Sequence, residues 1–203
     1  MIIPTWFFVY FLALIVVMVL GLVVCIKKYE GYSILEKEVS HLGSTENKNG
    51  KFFNSIYIIF GLSLLLLFYF LFNAGLFNFT TFIFFSLGGI SIFFVGIFPK
   101  NFIGTFPEHI LTPHHLFAEI AFSSFFVGSI LFIHLILDSA ICLWMIIPSI
   151  LAIIAGGIFF YITLFYETRK IRKRALLKNF CFWEWMFFLT ILLEIIFMFI
   201  LLL

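Results

Sequence analysis

Long apolar runs separated by polar connections dominate the pattern of this chain. A helix needs roughly 20 apolar residues to cross the hydrocarbon core of a bilayer, and six runs reach that length. None of them alternates apolar and polar residues as a barrel strand does. Helices satisfy their backbone hydrogen bonds internally, which the membrane interior requires. The pattern predicts an all-α fold, with one membrane domain over residues 1–203 and six transmembrane helices at about residues 3–26, 52–72, 79–98, 114–137, 140–166 and 180–203.

The composition agrees with a membrane location and excludes other classes of protein. Of the 203 residues, 64% are hydrophobic and only 11% are charged, whereas about a quarter are charged in soluble domains. Mean hydropathy is +1.23. These values exclude a cytosolic enzyme, a secreted disulfide scaffold and a nucleic-acid-binding protein. The first run has no basic segment before it and no small-residue cleavage site, so we expect it to stay as a span.

The basic residues predict which side of the membrane each connection faces. All 12 lysines and arginines lie in the first, third and fifth connections, at residues 27–51, 99–113 and 167–179. Under the positive-inside rule these connections are cytoplasmic and both termini are extracytoplasmic, in a multi-pass protein of the cell membrane. The basic run at 169–178 is explained by this topogenic role, with binding of anionic lipids as the alternative.

Polar side chains gather toward the predicted cytoplasmic ends of the second, fourth and sixth helices. An ionisable group in hydrocarbon costs about 2.5–3.5 kcal/mol, so each one is a functional candidate. Glu119 follows His115 by four residues and shares its helical face. The alternatives are snorkelling to the headgroups and, for Glu194, hydrogen bonding between helices. The binding candidates are Ser33, Ser40, His41, Asn54, Glu108, His109, His114, His115, Glu119, Glu184 and Glu194.

Two kinds of chemistry are conceivable for these residues, and neither has a strong motif. His109, His115 and Glu119 are weak candidates for a metal site, since imidazole and carboxylate suit zinc or iron. No HExxH or HxxxH spacing supports them. A serine nucleophile at Ser33 or Ser40, activated by His41 or by a histidine of the third connection, is the other option. The GxSxG elbow is absent, so we assign no catalytic residue, cofactor or reaction.

Two regions of the chain contain a succession of short motifs. They are Gly31-Tyr32-Ser33-Ile34-Leu35, Val39-Ser40-His41-Leu42-Gly43, Phe53-Asn54, Gly61, Gly96-Ile97-Phe98-Pro99 and the histidine pair before Leu116-Phe117-Ala118. These motifs resemble those of the domain of unknown function 998 family. The chain departs from the family pattern at Val39 and His41, where isoleucine and aspartate are common. Lys100 replaces the acidic residue after the first Phe-Pro, whereas Glu108 follows the second Phe-Pro.

The resemblance implies a six-helix membrane protein of a prokaryotic, often archaeal, family. It also implies a distant similarity to eukaryotic autophagy modulators and GPI-anchor-remodelling proteins, which favours lipids as ligands. Likeness of fold is a weak warrant for function. In those relatives the loop after the first helix is drawn on the non-cytoplasmic side, whereas the charges of this chain predict the cytoplasmic side.

Three functions follow from these observations. The first is a pocket at the cytoplasmic face, lined by Asn54, His109, His114, His115 and Glu119, that binds or modifies a lipid headgroup or another amphiphile. The second is a non-enzymatic scaffold or accessory subunit with protein partners in the membrane. The third is a small proton-linked transporter that uses Glu119 and Glu194 as relay carboxylates, although broken helices and repeats typical of transporters are not evident. Membrane lipids are the expected partners in the first case.

Overall fold

A computed structural model describes residues 5–35, 37–100, 112–139, 144, 146–169 and 174–202. Within these residues the fold is all-helical, and six helices are long and apolar enough to cross a membrane. This confirms the predicted fold class and the multi-pass architecture. The helices are α1 (Thr5–Lys28), α2 (Gly50–Asn73), α3 (Phe79–Ile97), α4 (Pro113–Ser139), α5 (Ile146–Arg169) and α6 (Arg174–Ile200).

The observed helix ends differ from the predicted ones where polar residues continue a helix. α6 begins at Arg174, six residues before the predicted start, because lysine and arginine are good helix formers although they end an apolar run. α3 begins at Phe79 because the Asn78 side chain accepts a hydrogen bond from the Thr81 backbone N–H at 2.8 Å. Gly75, with φ of +75°, makes the turn before it.

Each helix packs against the next helix along the chain, and the contact is most extensive between α2 and α3, whose backbones approach closely at Gly61. Gly61 of α2 makes this approach possible. A Cβ atom at Gly61 would lie 2.8 Å from the carbonyl oxygen of Gly89 and 2.9 Å from the Cα of Phe93. These are backbone atoms of α3, so the two helices would have to separate to admit any side chain.

Phenylalanine rings fill much of the space between the helices. Phe85, at the centre of one group, is fully buried and lies 5.2 Å from both Phe68 and Phe77 between ring centroids. At the far end of the bundle Phe11 of α1 lies 4.9 Å from Phe199 of α6. Aromatic pairs at these distances add to the packing energy. They join helices that are distant in sequence, including the first and the last.

The first connection folds back over one end of the bundle, and we call residues 31–49 the loop-one cap. It contains a short 3-10 helix, Val39–Gly43. Trp185 of α6 donates from Nε1 to the Tyr32 hydroxyl and to the Lys37 carbonyl oxygen, both at 3.2 Å. The Thr45 backbone N–H donates to the Lys100 carbonyl oxygen at 3.2 Å. The cap is therefore bonded to α6 and to the segment that follows α3.

Candidate functional site

A cavity lies beneath the loop-one cap, between α2, α3, α4 and α6. Its volume is about 60 Å³, enough for about four water molecules, since one water occupies roughly 10–15 Å³ by this measure. The polar lining residues are one serine, one asparagine, one tyrosine, one histidine and one glutamate, and all the others are apolar. The lining residues are Val39, Ser40, Phe53, Asn54, Tyr57, Phe60, Ile92, Val95, His114, Ala118, Ala121, Phe122, Phe125, Glu184, Phe188, Ile191, Leu192 and Ile195.

Small side chains on α4 leave room for the cavity. Ala118 and Ala121 follow His114 by four and seven residues, so the three lie on one face of the helix. All three line the cavity. Phe125, one turn further along the same face, closes it toward the middle of the bundle. The face of α4 thus runs from a polar group at the capped end to aromatic carbon in the interior.

His114 is buried at the capped end, with 2% of its surface exposed. Its Nδ1 atom lies 2.6 Å from the carbonyl oxygen of Phe98. Its Nε2 atom is buried and has no hydrogen-bond partner among the described residues. Most buried polar atoms in proteins have such a partner. An unpartnered imidazole nitrogen beside a cavity indicates a place for a ligand or water atom.

Glu184 enters the same cavity from α6 and is 5% exposed. Its Oε2 atom is also buried without a hydrogen-bond partner among the described residues. Burying a carboxyl group without a partner costs several kcal/mol by general measures. Tyr57 of α2 lines the cavity near it and is 7% exposed. Two polar atoms without a partner in the described part of the chain, one from α4 and one from α6, thus belong to one cavity.

An ion pair lies where the loop-one cap meets the cavity. Lys100 donates from Nζ to the Glu38 carboxylate and, at 3.3 Å, to the Ser40 hydroxyl. The Ser40 hydroxyl in turn donates to Glu38 Oε2 at 3.0 Å. Burial alone would raise the pKa of Glu38, but the Lys100 and His41 charges and the two hydrogen bonds together lower it to about 2. Ser40 also lines the cavity, and its two hydrogen bonds to the ion pair orient its hydroxyl.

His41 is half-buried in the same cap. Burial, followed by the charge of Lys100, lowers its pKa to about 4, against the opposing effect of Glu38. His41 is therefore uncharged near neutral pH. The Ser40 hydroxyl gives its hydrogen to Glu38, and this geometry does not favour Ser40 as a nucleophile activated by a histidine.

Asn54 connects the cavity wall to the cap. It lies in the first turns of α2, and its Nδ2 atom donates to the Gly43 carbonyl oxygen at 2.9 Å. A Cβ atom at Gly43 would collide with the Asn54 side chain. On the other side, a Cβ atom at Gly96 of α3 would lie 2.7 Å from the Asn54 carbonyl oxygen. Gly43 and Gly96, which belong to the sequence motifs, therefore leave room for Asn54 between the loop-one cap and α3.

The other predicted site residues lie apart from the cavity or outside the described residues. Ser33 accepts a hydrogen bond from the Leu35 backbone within the cap. His115 bonds through Nδ1 to the Thr112 hydroxyl at 2.7 Å, and Glu119 is exposed on α4. His115 and Glu119 do not line the cavity, whereas His114, which was predicted with them, does, and Ala118 lies beside it. Glu108 and His109 lie outside the described residues.

Glu194 is fully buried and is bonded across the helices. Its Oε2 atom accepts a hydrogen bond from Ser129 of α4, and its Oε1 atom accepts one from Ser149 of α5, both at 2.6 Å. Glu194 does not line the cavity. Its contacts match the hydrogen-bonding alternative considered for it, because they connect α4, α5 and α6.

The predicted metal site gains no support from the described part of the chain. Within it, no group of three or more histidine, cysteine, aspartate or glutamate side chains is arranged to hold a metal ion. His115 and Glu119 are present there, whereas His109 falls outside it. A metal site with His109 stays a prediction.

Comparison with protein families decides the affiliation of the chain. The model of a family described as "Protein of unknown function (DUF998)" matches residues 8–201. The chain belongs to the DUF998 family. No curated protein and no solved structure matches it in the corresponding searches. The resemblance found in the motifs is thus confirmed over nearly the whole chain.

The DUF998 motif residues meet in the structure around the capped end of the cavity. Tyr32, Ser40 and Gly43 come from the cap, and Asn54 comes from α2. The Tyr32 hydroxyl donates to the Glu38 carbonyl oxygen at 2.9 Å and accepts from Trp185. Motifs that are distant in sequence therefore serve one end of the bundle.

Sequence reasoning missed several residues of this end. Tyr57 and Trp185 are aromatic residues among many, and Lys100 was considered only as a topogenic charge and a departure from the family pattern. The spacing of His114, Ala118 and Ala121 was the available signal, since it marks a helical face with small side chains.

Proposed function

We propose that this DUF998 protein binds an amphiphile, with the polar head at the capped end of the cavity and the hydrocarbon chain among α2, α4 and α6. One observation carries the proposal. At one end the cavity has two buried polar atoms without a partner among the described residues, His114 Nε2 and Glu184 Oε2. Apart from Ser40, Asn54 and Tyr57, the rest of its lining is apolar. Binding pockets combine a mainly apolar lining with a few polar groups that orient the ligand. Membrane lipids are the most abundant amphiphiles in contact with such a protein.

The proposal includes an orientation. We infer that the capped end faces the cytoplasm, because every lysine and arginine of the chain lies in a connection, or in a helix end beside it, on that side of an alternating six-helix path. The amphiphile would then come from the inner leaflet. The termini would be extracytoplasmic, in the cell membrane.

The two other functions considered from sequence have less support. A proton relay through Glu119 and Glu194 would need both carboxyl groups on one path. Glu194 is held by two serines away from the cavity, and Glu119 is exposed on α4. No described contact specifically favours a scaffold with protein partners. The cavity favours binding, and we assign no reaction to it.

Photo-crosslinking of the full chain in lipid nanodiscs tests the proposal. Three octyl amphiphiles carry a diazirine on the chain and differ only in the head, which is a hydroxyl, an ammonium or a phosphate. We expect at least one of them to label cavity-lining peptides of α2, α4 or α6. The Ala118→Leu variant places a larger side chain in the cavity wall one turn from His114 and should reduce this labelling about fivefold or more, because the added carbons take space that the ligand needs.

The matched control is Ala13→Leu, which places the same change on an exposed position of α1. Both substitutions exchange two good helix formers, so helix stability is little affected. Labelling of cavity peptides in Ala13→Leu should equal that in the wild type. Absence of cavity labelling with all three heads, or equal labelling in Ala118→Leu and Ala13→Leu, refutes the proposal.

A further inference from the structure

The hydrogen bond of His114 fixes which kind of atom faces the cavity. The Phe98 carbonyl oxygen can only accept, so Nδ1 at 2.6 Å carries the hydrogen. An imidazole is mainly uncharged above its ordinary pKa of about 6.5, and an uncharged ring has one hydrogen on its two nitrogens. Nε2 is then an acceptor. This buried acceptor, without a partner among the described residues, lines the cavity.

Most of the other polar groups at this end are also acceptors or are already engaged, and the exception is Tyr57, whose hydroxyl can donate as well as accept. Glu184 Oε2 is an acceptor whenever the carboxyl group is ionised, and it has no described partner. The Ser40 hydroxyl gives its hydrogen to Glu38. The Asn54 amide nitrogen donates to Gly43. A ligand that satisfies His114 Nε2 must therefore bring a hydrogen-bond donor, and an ionised Glu184 would accept a second one.

The charges at this end disfavour an anionic ligand. Among the described residues, no lysine or arginine lines the cavity. Lys100, at the cap, is engaged by Glu38 and Ser40. A phosphate or carboxylate head would lose its hydration and would face the acidic Glu184 without a lining cation, which is unfavourable in a site of low polarity. A hydroxyl or ammonium head has no such cost against these acceptors.

We infer that the head group taken by this cavity is a hydrogen-bond donor without negative charge, a hydroxyl or an ammonium, which donates to His114 Nε2 and Glu184 Oε2. The inference rests on the proposed function, because it names the class of amphiphile for the same cavity. Neutral lipid alcohols and long-chain amines share this donor chemistry.

The test compares the three octyl probes in nanodiscs near neutral pH, with concentrations expressed per membrane lipid. We expect the hydroxyl or the ammonium probe to label cavity peptides at least about tenfold more than the phosphate probe, since one unsatisfied buried group is worth this factor or more. Preference for the ammonium over the hydroxyl indicates pairing with an ionised Glu184. Equal labelling by both indicates hydrogen bonding as the shared interaction. Either result supports the inference.

Two variants then assign the preference to Glu184. Glu184→Gln keeps the shape of the side chain and adds an N–H donor, so the ratio of hydroxyl or ammonium labelling to phosphate labelling should fall to about threefold or less. The matched control is Glu119→Gln, which makes the same change at an exposed position near the capped end of α4. It should leave the ratio unchanged.

The outcomes separate this inference from the proposed function. If the phosphate probe labels the cavity as strongly as the others, and Ala118→Leu prevents this, the protein binds amphiphiles and the donor-head inference is wrong. An unchanged ratio in Glu184→Gln also overturns it, because the head then does not contact Glu184. If no probe labels the cavity, the proposed function and the inference fail together.

Discussion

The ion pair between Lys100 and Glu38 is expected to keep the loop-one cap closed over the cavity. Lys100→Met removes the ammonium group and retains most of the side-chain length. The variant leaves Glu38, whose side chain is 21% exposed, without its main charge partner. A pKa of about 2 for Glu38, against an ordinary value of 4.5, corresponds to about 3 kcal/mol. Partial solvation reduces this, and we take about 2 kcal/mol for opening of the cap.

Alkylation of Cys181 by a maleimide measures this opening. Cys181 is 1% exposed and lies close enough to Glu38 and Lys100 for their charges to reach it. In a background with Cys25→Ala and Cys142→Ser it is the single thiol of the chain. If the cap recloses faster than the reagent reacts, a loss of about 2 kcal/mol raises the labelling rate about 30-fold.

The matched control is Lys48→Met, because Lys48 is an exposed lysine of the same cap. Its labelling rate should stay within about twofold of the background rate. Glu38→Gln should accelerate labelling as Lys100→Met does, and the double variant should be slower than the product of the two single effects predicts. Equal rates for Lys48→Met and Lys100→Met, or purely multiplicative effects in the double variant, would refute the ion-pair explanation.

Three further predictions follow from other parts of the fold. Acid should loosen the cap as pH falls from about 6.5 to 4, because His41, with a folded pKa of about 4, binds its proton mainly in the open state. Cys181 labelling, normalised to a free thiol at each pH, checks this, and His41→Gln should remove the change in that range. Ser129→Ala should lower the free energy of unfolding, measured by steric trapping, by about 1–2 kcal/mol, because it removes a hydrogen bond to Glu194. An unchanged free energy of unfolding would refute this role. Gly61→Ala should cost about 1–3 kcal/mol by forcing α2 from the α3 backbone, whereas Gly157→Ala, with open space, should be neutral or stabilising.

The six helices could be predicted because the bilayer demands a long apolar run from each of them. The ends of the helices depend on local helix propensity and capping, which the apolar runs do not reveal. α6 includes the basic residues from Arg174 onward. Polar residues can be helical outside the hydrocarbon. Hydropathy therefore predicts the membrane-spanning segment more accurately than it predicts the two ends of the helix.

The site was predicted in part, and the phase of α4 explains the difference. Sequence spacing correctly places His115 and Glu119 on one helical face, but it does not show whether that face is inside the bundle. α4 is apolar on nearly all sides, because lipid chains and neighbouring helices both favour contact with apolar side chains. No polar face therefore shows which side of α4 points away from the bundle. Packing turns His114 inward instead. Ser40, Asn54, His114 and Glu184 were named among the candidates, whereas the contact of Lys100 with the cap depends on how the chain folds back.

The succession of neighbouring helices has a consequence for biosynthesis. Because each helix packs against the one that precedes it in the chain, α1 to α5 can associate in order as they leave the ribosome and enter the membrane. Glu184 and Trp185 arrive last, with α6, and only then is the wall beside His114 completed. A nascent chain halted before α6 would expose this histidine, and insertion of the final helix is the step at which the binding chamber comes into existence.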